Sequence, residues 1–169
     1  MIRPAPQDPG LVASAAGFVE SLREENAELL AFIRALRAEQ DALMHGDADR
    51  VDRLAPDKAS HIENLNRLGE QRSRHLEAHS LKSNAEGMTT WLKRNPQYAL
   101  AGGKTWRELL AQAETARQIN QNNGILIENN LQQTRVKLAV LQTSVASDGV
   151  YRPDGKLRPL SNTRTFGAL

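Results

Sequence analysis

The chain has no cysteine. Disulfides, thiolate metal sites and cysteine nucleophiles are thereby excluded. Aromatic residues are scarce: three Phe, two Trp and two Tyr among 169 residues. The apolar content rests instead on Leu and Ala, which with Glu, Arg and Gln favour helix. No apolar run approaches the ~20 residues that a membrane span needs. Residues 11–19, LVASAAGFV, are short, Ala-rich and preceded by proline and Asp8, so they do not read as a secretory leader. Membrane insertion is not expected, and a cytoplasmic location is.

Charge of either sign is also short of excess. The net charge is +2, but it is unevenly spread. Residues 1–80 hold 10 Lys/Arg against 14 Asp/Glu, and residues 81–146 hold 8 against 4. An acidic half packing beside a basic half accounts for this. No stripe of Lys and Arg interleaved with aromatics is present, so nucleic acid is not an expected partner.

What is there is helical periodicity. Asp8-Pro9 has the chemistry of a helix start, with Asp as cap and Pro at the first helical position. Leu22, Leu29, Leu36 and Leu43 then recur every seven residues, flanked by Phe18, Val19, Phe32 and Ile33. That is an amphipathic helix with a coiled-coil-like seam. His45-Gly46 ends it, since Gly takes the left-handed conformation at little cost. Asp47 caps a second helix, whose stripe is Val51, Leu54, Ile62, Leu65, Leu68 and Leu76. Pro56 lies inside that helix and should kink it or shift its start.

Ser83 and Glu86 have capping-box spacing and open a short helix, which Asn95-Pro96 closes. PQYALAGGK, residues 96–104, reads as a loop. Thr105 and Glu108 form a second capping box. The expected fold is all-α. It is an antiparallel bundle of three long helices with coiled-coil-like packing, one short extra helix and a flexible C-terminal tail. The helices span about 9–45, 48–80, 84–94 and 105–146. The bundle domain is 1–146 and the tail 147–169.

The last helix contains NQNNGILIENN, residues 120–130, rich in its weakest formers. Alternate steps of four and three from Trp106 give Leu110, Ala113, Arg117, Asn120, Gly124, Ile127, Leu131, Thr134, Leu138, Leu141 and Val145. This stripe keeps its phase across Gly124, which favours one continuous helix. The alternative is that Asn123-Gly124 caps and ends it. On the seam, Asn can fix register and Gly lets a neighbouring backbone come close. Beyond Gly124, Leu131 to Val145 read either as ordinary bundle core or as an under-covered stripe that offers a groove to a partner helix, with the Asn/Gly centre as a soft joint; both hold if a client displaces an internal contact.

Chemistry is not legible. Gly103-Lys104-Thr105 resembles the end of a phosphate loop, but Tyr98 stands where its first Gly is needed. His75 and His79 lie one turn apart without an HExxH pattern and read as solvated. No catalytic residue, metal site or cofactor is expected, and the chain is not read as an enzyme.

Several segments together resemble the FlgN family of flagellar export chaperones. They are MHGDADRVDRLAPDK at 44–58, Trp106 with Leu109-Leu110, INQNNGILIE at 119–128 and VYRPDGK at 150–156. The resemblance implies a helical chaperone without catalysis. Its partners would be hook-associated proteins of the hook–filament junction, whose C-terminal helices it binds. It would prevent their premature assembly and deliver them to the export gate. The family's C-terminal helix carries the client, which here singles out Asn120, Asn123, Gly124, Ile127, Leu131, Leu138, Leu141 and Val145. Gate docking falls to Tyr151, although Arg152 stands where Gly is common. The competing reading is a structural coiled-coil protein that self-associates through the same stripes, and a homodimer stays open.

Overall fold

The structure is a computed structural model that describes residues 14–148, with side chains described through residue 143. All its regular structure among these residues is helical. Helix α1 spans Ala15–Met44, α2 Ala48–Ala78, α3 Ala85–Arg94 and α4 Ala99–Asp148. A single 3₁₀ turn, Pro96–Tyr98, joins α3 to α4. By internal contacts the chain divides into two units, Met1–Ile127 and Glu128–Leu169.

Helix α1 begins on Ser14, whose hydroxyl accepts the Gly17 N–H at 3.0 Å. The expected Asp8-Pro9 start lies outside the described residues. The heptad leucines are buried as anticipated: Leu22, Leu29, Leu36 and Leu43 are all within the core face. Gly46 has φ +67° and Asp47 accepts the Arg50 N–H, so the α1–α2 corner forms where the sequence placed it. Helix α2 continues through Pro56. Its expected stripe is only partly covered: Leu68 and Leu76 are buried, whereas Ile62 is exposed.

The α1–α2 pairing is antiparallel, as the ion pairs show. Glu25 binds Arg72 and Glu39 binds Lys58. Between them Glu28 meets His61 at 2.6 Å, and near the corner Asp41 meets Arg50 at 2.6 Å. Partner numbers fall along α1 as they rise along α2. Glu25 and Glu39 occupy the same heptad position as Phe18 and Phe32, so two carboxylates sit where a coiled-coil seam wants apolar side chains. Each is nearly enclosed, and a buried carboxylate without a partner would be very unfavourable.

Two apolar clusters surround these pairs. Phe18, Val19, Leu22, Leu76, Met88 and Trp91 form the first, and Leu29, Ile33, Leu36, Leu109 and Ala116 the second. His75 belongs to the first. It is 6% exposed, stacks on Phe18 at 3.9 Å and meets the edge of Trp91 at 5.8 Å. The expectation of a solvated His75 is therefore corrected. The helix face around it looked polar in sequence, but the Phe18 and Trp91 rings that enclose it come from other helices.

Two helix starts also differ from expectation. Asn84, not Ser83, caps α3: its Oδ1 accepts the Gly87 N–H at 3.0 Å. Ser83 instead donates to Glu77, and Glu86 pairs with Lys82. Helix α4 starts at Ala99, so residues 99–104 are helix rather than loop, and Thr105 is no cap. Its hydroxyl donates to the Ala101 carbonyl at 3.1 Å, one turn back. Gly102 misled the reading. It is buried, and a Cβ there would lie 3.2 Å from Leu92 and 3.4 Å from Val19. It is needed for close helix packing rather than for a turn.

Candidate interaction surface

The first unit holds the part of α4 from Ala99 to Ile127. Besides Gly103, its buried positions are Gly102, Thr105, Leu109, Ala116 and Asn123, with Gln112, Ile119 and Leu126 among the half-buried. These step by three and four, one residue earlier than the stripe read from the sequence. Leu110, Ala113, Arg117, Asn120 and Gly124 are accordingly exposed. One position is about 100° of helix rotation, so the misplaced register selects a different face. Trp106 anchored the wrong count. It is only half-buried, lying at the border of the covered face with the Arg72 guanidinium 5.3 Å from its ring centroid.

Arg117 sits on the solvent side. Its guanidinium makes hydrogen bonds of 2.9 and 2.7 Å to Glu114, and Gln118 adds another at 2.9 Å. The bonds from Arg117 first, and then from Gln118, hold the Glu114 carboxyl down at about 2. This is a solvated surface pair, and surface pairs of this kind add little to stability.

The Asn-rich segment has a split character. Asn123 is 1% exposed. Its Nδ2 donates to the Leu36 carbonyl at 2.9 Å and to Glu39 Oε2 at 2.9 Å. Since Glu39 also binds Lys58, a polar node ties α1, α2 and α4 together. A buried amide that can bond in only one rotation pins helix register. The sequence suggested that role for a seam Asn, and Asn123 rather than Asn120 fills it. Gly124 has nothing within 4 Å of where its Cβ would be, so no neighbouring backbone approaches there. The expected close approach is thus corrected. Its neighbours Ile125 and Ile127 are 59% and 38% exposed.

Among the described residues of the second unit, 128–148, the helix carries a dense set of uncovered aliphatics. Leu131, Val136, Leu138, Val140 and Leu141 are each more than half exposed. Leu131, Leu138 and Leu141 share one side with Thr134, spaced by three and four. The Thr134 hydroxyl is turned back onto the Asn130 carbonyl at 2.9 Å. Val145 falls on the same register, with its side chain beyond those described. A cluster of exposed large aliphatics is unfavourable in water, and such patches mark partner sites. The FlgN protein family matches residues 14–159.

The chain belongs to the FlgN family. FlgN proteins are flagellar export chaperones. No curated protein matches the chain, and no solved structure does. Among the described residues of this FlgN protein, no group of His, Asp and Glu is arranged to hold a metal ion. Nor is any helix there long and apolar enough to cross a membrane. The groove of about 610 Å³ lined by Glu25, Leu65, Gly69, Glu70, Arg72 and Arg74 offers no unused charge, because Glu25 binds Arg72 and Glu70 binds Arg74.

Of the residues that sequence pointed to, Leu131, Leu138 and Leu141 come together on one exposed side. Asn120, Gly124 and Ile127 are exposed in the first unit, whereas Asn123 is held inside it. Tyr151 lies outside the described residues. Sequence reasoning missed Glu25 and Glu39. Their spacing of two heptads, matched by Lys58 and Arg72 at the same separation, is the signal that finds them.

Proposed function

We propose that this protein is a cytoplasmic chaperone without catalytic activity that binds the C-terminal helices of hook-associated proteins. It prevents their premature assembly at the hook–filament junction and delivers them to the export gate. The observation that carries this reading is the exposed aliphatic side of α4 at Leu131, Leu138 and Leu141. Val145 on the same register, with Asn120, Gly124 and Ile127, is a further candidate for client contact. Tyr151 is the residue proposed to dock on the gate. The finer fold belongs to the same proposal: three long helices running up, down and up, with coiled-coil-like packing.

A client helix lying along this side would be a helix-in-groove complex. Burying three or four aliphatics contributes roughly 1.5–3 kcal/mol each, before the costs of association and ordering. That is sufficient for a micromolar complex and small enough to be released at a gate.

The test is direct binding of purified hook-associated proteins to the full chain. Leu138→Asp should weaken that binding by at least about tenfold while far-UV helicity and Tm stay near those of the parent, because Leu138 is 52% exposed. Loss of helicity would assign Leu138 to a core. A parent chain that forms a stable homo-oligomer and ignores hook-associated proteins would favour the self-associating coiled coil instead.

The low-propensity centre is proposed to serve as a soft joint about the one fixed point in it, the Asn123 amide held by α1. Amides 120–126 should then exchange faster than amides 110–116 in the free protein. Gly124→Ala should slow that exchange and raise Tm by roughly 2–4 °C. The reasons are that Ala gains about 1 kcal/mol over Gly in a helix interior and that nothing lies near the new methyl. Equal protection in the two segments of the parent would refute the joint.

A further inference from the structure

We propose that the helix seated on this side of α4 carries acidic residues flanking its own apolar stripe. The inference rests on the reading of Leu131, Leu138 and Leu141 as the client face. Placed in a heptad, Leu131 and Leu138 take position a, and Thr134 and Leu141 take position d. Arg135 then falls at e and Lys137 at g, the two positions that border the seam of a helix pair. At about 100° per residue each lies roughly 80° from the middle of the apolar side, on opposite sides of it. Both are exposed, and no ion pair engages either among the described residues. Within 128–147 the only acidic residue is Glu128, so the central heptad is bordered by cations alone.

This pattern selects the occupant. A second copy in antiparallel register sets e against e and g against g: centred on this heptad, Arg135 and Lys137 meet their own kind, and shifted so that Glu128, itself at e, meets Arg135, it leaves Lys137 facing Asn130. In parallel register Lys137 faces Gln142 and Asn130 faces Arg135, and no charge is matched. A helix with Glu or Asp at its flanking positions matches both cations, and one with Lys or Arg there is repelled. An anionic lipid surface would also attract cations, but two in twenty residues fall short of the basic face that holds a helix at a membrane.

The experiment uses the full chain and two synthetic amphipathic peptides with identical apolar heptads, one flanked by Glu and one by Lys. At low salt the Glu-flanked peptide should bind roughly tenfold more tightly, with the preference shrinking at high salt. Arg135→Glu with Lys137→Glu should reverse the preference, and Leu138→Asp should weaken both peptides. Equal binding of the two peptides by the parent overturns the proposal. If Leu138→Asp still abolishes hook-associated-protein binding in that case, the client face stands and only its charge selectivity falls. If Leu138→Asp leaves both peptides and hook-associated proteins bound, the client face falls as well. Binding to phosphatidylserine vesicles that the charge reversal removes, without discrimination between peptides, overturns it in favour of a lipid surface. A tight dimer of the parent that Leu138→Asp dissociates overturns it in favour of a second copy.

Discussion

Trp91→Ala should lower the free energy of unfolding by about 3–5 kcal/mol, read as a fall in Tm of roughly 10 °C or more. Trp91 is 1% exposed and lies edge-on to Phe18, with ring centroids 4.6 Å apart. Its removal empties the centre of a cluster whose walls come from α1, α2 and α3, so no single helix can move to refill it. Trp91→Phe should cost far less. The indole Nε1 is buried with no hydrogen-bond partner among the described residues, and Phe removes that unmet donor along with part of the ring. A urea titration of both variants measures how the cost grows with the ring volume removed. Similar destabilisation by the two would show that the part of the indole that Phe lacks is what fills the cluster.

Gly87→Ala should be at least as damaging as a large core truncation, although it adds a single methyl. The new Cβ would lie 1.8 Å from the Lys82 carbonyl oxygen and 2.8 Å from its carbon. Those are backbone atoms, which cannot swing aside as a side chain does. Overpacking by one carbon typically costs 1–3 kcal/mol, and about 3 kcal/mol or more is expected where the obstacle is main chain. Relief requires the 81–84 link to lift off the first turn of α3. That also strains the Asn84 cap and the seating of Met88 and Trp91. The measurement is again unfolding free energy, with near-UV circular dichroism to report the Trp91 environment. A variant as stable as the parent would mean that the link has room to move.

Much of this was legible in the sequence, and the failures share one cause. The heptad leucines of α1, the Gly46 turn and the Asp47 cap rest on local rules, and each is found as expected. Glycine at 102–103 was misread because the same residue serves turns and tight helix contacts, and only the presence of Leu92 and Val19 decides between them. The α4 register was misread because both candidate stripes carry apolar side chains. Trp106 and Leu110 suggested one, whereas Leu109, Ala116 and Asn123 define the covered one. Small and polar residues packed beneath another helix do not announce themselves in a hydropathy pattern. The uncovered aliphatics past residue 130 were easier to read, because nothing in the described fold competes for them.

The amide of Asn123 makes the last helix keep count. It reaches the Leu36 carbonyl and Glu39 only when the number of residues separating it from Leu109 is right. One residue inserted between them would swing the amide to water and leave Glu39 a donor short, whereas seven would restore the facing but carry the amide about 10.5 Å along the axis, out of reach unless α1 and α2 lengthened by the same two turns. Length changes between Leu109 and Asn123 should therefore arrive in whole heptads and be matched in α1 and α2, whereas the stretch past Asn123 is free of this count.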